Sequence, residues 1–154
     1  MSKVEQRLTE LGLELPAVPA AAGNYVPFRM HGNTLYLAGA ITMVNGALTH
    51  TGKVGDGQSV EDGYQAARTC ALNAIAVMKE ALGDLDRVEA ILMVNGYVNS
   101  VDGFTQAPAV INGASDLLVE VFGDVGKHAR AAVSMSGLPL DTTTEVQITL
   151  AFRE

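Results

Sequence analysis

The spacing of apolar positions changes repeatedly along this chain, and each change marks an element. Val146, Ile148, Leu150 and Phe152 alternate with Glu145, Gln147, Thr149 and Ala151, the period of a strand with one buried face. Between residues 60 and 82 the spacing is helical. Tyr64, Ala67, Ala71, Ala74, Ile75, Met78 and Leu82 share one face, Ser59 is placed to cap the start, and Gly83 marks the stop. A second helix is expected over 105–122, with Val110, Ile111, Ala114, Leu117, Leu118 and Val121 buried and Pro108 in the first turn. Strand-type runs occupy 24–30, 34–41 and 88–98. His31-Gly32-Asn33 suits a hairpin turn between the first two, and Asn95-Gly96 is expected to interrupt the third at a bulge. Val4, Leu8 and Leu11 predict a short helix near the start, followed by a Pro/Ala linker through residue 22 that Pro16 and Pro19 keep extended.

The order is β-β-α-β-α-β-β, a single α+β domain over 1–154 with 1–22 as an N-terminal extension. Two long helices between strands need a sheet to cover, so a mixed sheet with both helices on one face is expected. Gly137 and Pro139 mark a turn between the strand around Arg130 and the strand from Glu145. Paired as a hairpin, these strands would bring Arg130 and Glu145 to one sheet.

Composition narrows the classes. Hydrophobic residues make up 48% and charged residues 18% of the chain, which excludes a disordered protein and favours burial of surplus apolar surface between subunits. The net charge is −7 with no basic run, which weighs against nucleic-acid binding. No stretch approaches the roughly 20 apolar residues of a membrane span. No signal-type segment follows the charged N-terminus, and Cys70 is the sole cysteine, so a cytoplasmic location is expected.

Candidate chemistry concentrates in few places. Arg130 lies among small residues, Ala129, Ala131 and Ala132, and a guanidinium offers a planar fork matched to a carboxylate. Glu145 can act on water if burial raises its pKa. Asn112-Gly113 inside a helix pairs two residues that disfavour helix interiors, which points to a close approach or a ligand contact. Cys70 sits on an apolar helical face and reads as core. His31, His50 and His128 are isolated, with no metal-ligand spacing; His128, beside Arg130, reads as a rim residue. Gly55-Asp56-Gly57 is a turn rather than a phosphate cradle, because Asp56 would repel phosphate.

Several of these stretches resemble one family. Gly23-Asn24-Tyr25 followed by Gly32-Asn33-Thr34-Leu35-Tyr36-Leu37-Ala38-Gly39 looks like its "GxY…GNLLFxSG" opening. Val110-Ile111-Asn112 and the closing Ala129-Arg130-Ala131 … Leu138-Pro139-Leu140 … Glu145-Val146 look like its helix asparagine and "AR…LP…VE" signatures. The chain resembles the reactive-intermediate/imine deaminase (Rid) superfamily, also labelled endoribonuclease L-PSP, over about residues 20–153. The resemblance implies a chorismate-mutase-like fold and a homotrimer with clefts between subunits. It implies a small carboxylate ligand held by Arg130, water positioned by Glu145, and Tyr25, Gly39, Asn112 and Ala132 around the ligand. Neither cofactor nor metal is implied, since imines hydrolyse readily once positioned. Ala38 and Ala132 stand where the family usually has Ser and Cys. The expected activity is hydrolysis of small enamine or imine acids to 2-oxo acids and ammonia. The alternative is a non-catalytic binder or regulatory module on the same trimeric cleft.

Overall fold

The computed structural model describes residues 2–154. Helix α1 (Lys3–Glu10) is followed by an extended linker, then by strands β1 (Phe28–His31) and β2 (Thr34–Leu37). Four two-residue strands, β3 (Met43–Val44), β4 (Ala47–Leu48), β5 (Lys53–Val54) and β6 (Gly57–Gln58), form two small ribbons before helix α2 (Val60–Leu82). Strand β7 (Val88–Asn99), helix α3 (Ala107–Phe122), β8 (Ala129–Met135) and β9 (Thr144–Phe152) complete the chain. The fold is α+β, and it adds the ribbon strands to the expected order.

Local chemistry explains the element ends. Ser59 accepts from the Asp62 backbone amide at 3.0 Å while the Asp62 carboxylate accepts from the Ser59 amide at 2.8 Å, a reciprocal cap at the start of α2. Ser2 and Glu5 repeat that arrangement on α1. Gly32 at φ 59° turns β1 into β2.

One sheet of order β1-β2-β9-β7-β8 organises the molecule. Strand β8 runs parallel to β7 because α3 carries the chain back as a crossover, while β9 runs antiparallel to both β7 and β2. The expected hairpin of β8 with β9 does not form. Both pair with β7, one on each edge, so Arg130 and Glu145 share a sheet but are separated by a whole strand. Asn95-Gly96 also departs from expectation. Strand β7 runs through it unbroken, with its irregularities nearer the start, between Val88 and Ala90 and between Ile91 and Met93. Gly96 instead makes room for α3, since a Cβ there would lie 2.5 Å from an Ile111 methyl group.

Both long helices cover one face of the sheet. Leu35, Leu37, Ile91, Val94, Val98, Val146, Ile148 and Leu150 point into the shared core with Ala67, Cys70, Ala74, Ile75 and Met78 of α2 and Val110, Ile111, Leu117 and Leu118 of α3. Burial pushes the Cys70 thiol up to about 12, as suits a core residue beside Thr144. The helices meet at Gly113, where a Cβ would lie 1.9 Å from the Tyr64 carbonyl oxygen. The unusual Asn112-Gly113 pair thus marks a close approach. The opposite face of the sheet carries Tyr36, Met93, Val133 and Met135, all exposed, among the polar Gln147 and Thr149. Among the described residues, no helix is long and apolar enough to cross a membrane.

Candidate functional site

Two separate regions hold the residues singled out by the sequence. The first is built on β8 and α3. In parallel register Arg130 pairs with Val94, a core residue, so its side chain rises on the helix-covered face. There it meets a stripe of α3 formed by Pro108, Asn112 and Ser115, positions i, i+4 and i+7 of one helix. Arg130 Nη1 donates to Asn112 Oδ1 at 2.7 Å and to Ser115 Oγ at 3.1 Å, and Nη2 donates to the Pro108 carbonyl at 3.4 Å. A guanidinium carries five N–H donors. The helix occupies both on Nη1 and one on Nη2, which leaves Nε–H and a second Nη2–H on one edge of the group. Two parallel donors on one edge are what a carboxylate takes bidentately. Ala132, two residues on, lies on the same face opposite Gly96 and packs half-buried against the core.

His128 also belongs here. Its Nδ1 lies 2.7 Å from the Gly126 carbonyl oxygen and its Nε2 2.8 Å from Ser115 Oγ. Lys127, His128, Arg130, Ser115 and Val119 line a shallow concavity of about 270 Å³. The sequence reading missed Ser115. Its signal was the three-residue step from Asn112, which places two polar groups on one stripe of an otherwise apolar helix.

The second region is a cavity of about 420 Å³ between the segment where the chain leaves β2 and helix α2. Tyr25, Gly39 and Glu145 line it together, with Asn73 and Val77 of α2, Met43, and Leu140. Glu145 pairs with Tyr97 between two core-facing pairs of residues, so it sits on the face of the sheet away from the helices. It is half-buried, and that burial raises its pKa above the usual carboxylate value. No hydrogen bond or ion pair to another described residue holds its carboxylate. Gly39 makes its position available, because a Cβ there would lie 2.1 Å from Glu145 Oε2. Tyr25 is 54% exposed on the linker, its hydroxyl accepting from the Ala22 amide at 3.3 Å. Asn73 ties the cavity wall down, donating to the Ile41 and Met43 carbonyls at 2.9 and 2.8 Å.

Backbone in a sparsely populated conformation forms the rim. Leu140 and Asp141 have φ values of 55° and 61°, a left-handed conformation that is rare for a γ-branched side chain. A polar network around the buried Asn99 fixes it: Asn99 Nδ2 donates to Asp141 Oδ1 at 2.9 Å, and the Gly52 amide donates to the Asp141 carbonyl at 2.9 Å. Asn99 in turn accepts from Lys53 Nζ at 3.1 Å. The sequence reading did not single out this network. Its members come from three segments far apart in sequence.

The structure therefore brings Arg130, Asn112 and Ala132 together, and separately Tyr25, Gly39 and Glu145. It does not join the two groups within one chain. Arg130 offers an anion fork without a base; Glu145 offers a base in an apolar cavity without a cation.

Comparison with known proteins gives a family. Residues 5–151 match the family model described as "YjgF/chorismate_mutase-like, putative endoribonuclease". Protein TCP17 of Trypanosoma cruzi is 43% identical over 145 residues, 94% of this chain and 91% of that protein. The solved structure of Atu1372 from Agrobacterium tumefaciens, a protein of unknown function, is 42% identical and superposes with a TM-score of 0.89, covering 97% of this chain and 91% of that one. A solved Shewanella oneidensis MR-1 protein is 38% identical with a TM-score of 0.94, over 97% and 99% of the two chains.

Proposed function

Because the chain belongs to the YjgF/chorismate-mutase-like family, the Rid superfamily, we propose that it binds small 2-oxo and imino acids at subunit boundaries of a homotrimer and hydrolyses the imines to 2-oxo acid and ammonia. One observation carries the reading. Arg130 and Glu145 lie on opposite faces of a single sheet, so chemistry that needs both must draw them from two copies. The exposed apolar residues Tyr36, Met93, Val133 and Met135 on the uncovered sheet face supply a surface for such an assembly.

In this mechanism the Nε/Nη2 edge of Arg130 holds the carboxylate. The rest of the ligand enters the cavity of the adjoining copy, where Glu145 faces the imine carbon. Glu145 takes a proton from water as the oxygen adds to that carbon of the protonated imine, whose nitrogen becomes a neutral amine. Glu145 then returns that proton to the amine nitrogen, and as the C–N bond breaks the carbinol hydroxyl gives its proton to the Glu145 carboxylate, so that ammonia leaves and the carbonyl forms. A carboxylate whose pKa is raised by burial is better matched to holding that proton between the two steps. Ala38 and Ala132 leave only backbone groups beside the ligand, which favours, as a second reading, a binding module without turnover.

Mixing tests the shared site. Arg130→Ala and Glu145→Gln are each expected to abolish most imine hydrolysis, measured with imines generated in situ. Randomly co-assembled from equal amounts of both variants, about a quarter of the clefts would hold an intact Arg130 and an intact Glu145. Recovery to about that level supports the arrangement. No recovery, or a monomer at micromolar concentration in sedimentation, rejects it.

A further inference from the structure

We propose that His128 is a positioning residue of the anion anchor, acting on Arg130 through Ser115; this rests on Arg130 being that anchor. The direction of each hydrogen bond follows from the first. A carbonyl oxygen can only accept, so His128 Nδ1, 2.7 Å from the Gly126 oxygen, carries the ring proton. In the neutral ring Nε2 is then an acceptor, and Ser115, 2.8 Å away, must donate its hydroxyl to it. With its proton committed, Ser115 Oγ presents a lone pair to Arg130 Nη1 at 3.1 Å.

The relay starts from a fixed point and ends on the guanidinium. Gly126 is buried against α3, where a Cβ would lie 2.3 Å from the Leu118 carbonyl oxygen, so its own carbonyl has little freedom. Asn112 accepts the other Nη1 proton at 2.7 Å. Together these two acceptors fix the plane of the guanidinium, and the plane decides where the Nε/Nη2 edge points. Without His128, the Ser115 hydroxyl is free to turn back to the carbonyl four residues earlier on its helix, as helical serines do. Arg130 then loses one of its two plane-setting partners while keeping its charge. His128 thus sharpens a fork rather than adding a charge.

The test uses the full chain and 2-oxobutanoate as probe, titrated calorimetrically. His128→Ala is expected to weaken binding about three- to tenfold, the scale of one hydrogen bond. Ser115→Ala should give a similar loss, and the double variant no more than either alone. His128→Gln, whose side-chain oxygen can accept from Ser115, should restore binding to within about twofold of wild type. In imine assays KM should rise while kcat stays nearly constant. Nitrogen NMR of the neutral ring should find its proton on Nδ1. Additive losses, no rescue by His128→Gln, or protonation on Nε2 overturn the relay while leaving the Arg130 anchor standing. Wild-type binding by Arg130→Ala overturns the anchor itself, and the relay with it.

Discussion

The Arg130 region and the Glu145 cavity solve opposite problems. The Arg130 guanidinium is a planar fork that its site must aim, and the three hydrogen bonds it donates to one helix stripe do so. Glu145 is left unpartnered among the described residues and half-buried, with glycine beside it in place of a donor, so burial raises its pKa unopposed. A salt bridge between the two within one chain would have lowered the glutamate pKa and used up the fork. Their separation across the sheet leaves the guanidinium edge and the carboxylate unpaired with each other.

Substitutions at four positions would break or sharpen that contrast. The largest effect is expected from Gly113→Ala, which places a Cβ against the Tyr64 carbonyl and forces α3 off α2. A loss of about 2–4 kcal/mol in stability, or roughly 5–15 °C in melting temperature, is expected. Because Asn112 and Ser115 ride on the same helix, anion binding should weaken as well. Melting within a degree or two of wild type would show that this approach does not seat the helix.

Arg130→Ala comes next. A charge-assisted fork contributes roughly 1.5–3 kcal/mol, so 2-oxo acid binding should weaken by about one to two orders of magnitude. Arg130→Lys should recover only part of it, since an ammonium cannot reproduce two parallel donors. If Arg130→Ala binds normally but loses its oligomeric state, Arg130 is an interface residue.

Gly39→Ala addresses the other region. Its Cβ would displace the flexible end of Glu145, so imine turnover should fall about tenfold while stability changes by less than about 1 kcal/mol and 2-oxo acid affinity barely moves. Equal losses in binding and turnover would mean that both regions act as one unit.

The smallest effect is the most specific. The pKa of Glu145 is raised on folding, so the folded state holds that proton more tightly than the unfolded one. Its contribution to stability is therefore full on the acid side and is lost as pH rises through the folded pKa. Glu145→Gln removes that loss. It should raise the melting temperature by about 1 °C at pH 7–8, and the gain should vanish below the ordinary carboxylate range near 4. A destabilised variant at pH 7.5 would show that Glu145 has a partner.

Much of this molecule is determined by its sequence. Helix α2 with its Ser59 cap, the stop at Gly83, strand β9 with its strict alternation and the buried Cys70 all follow from local rules, because caps, periodicity and burial act over a few residues. The identities of Arg130, Asn112, Tyr25, Gly39, Ala132 and Glu145 as residues of interest were also legible, through local motifs. Their grouping was not. Gly137 and Pro139 mark a turn after β8, yet a turn does not choose which edge the next strand takes. That choice was made by β7, whose free edges accepted β8 on one side through the α3 crossover and β9 on the other. Sequence distance carries no information about the face of a sheet on which a side chain emerges until the register is set, and only the assembled sheet sets it. Ser115 as the link between His128 and Arg130, and Asn99 beneath the left-handed rim, are decided at the same level, by segments that meet only once the core has closed.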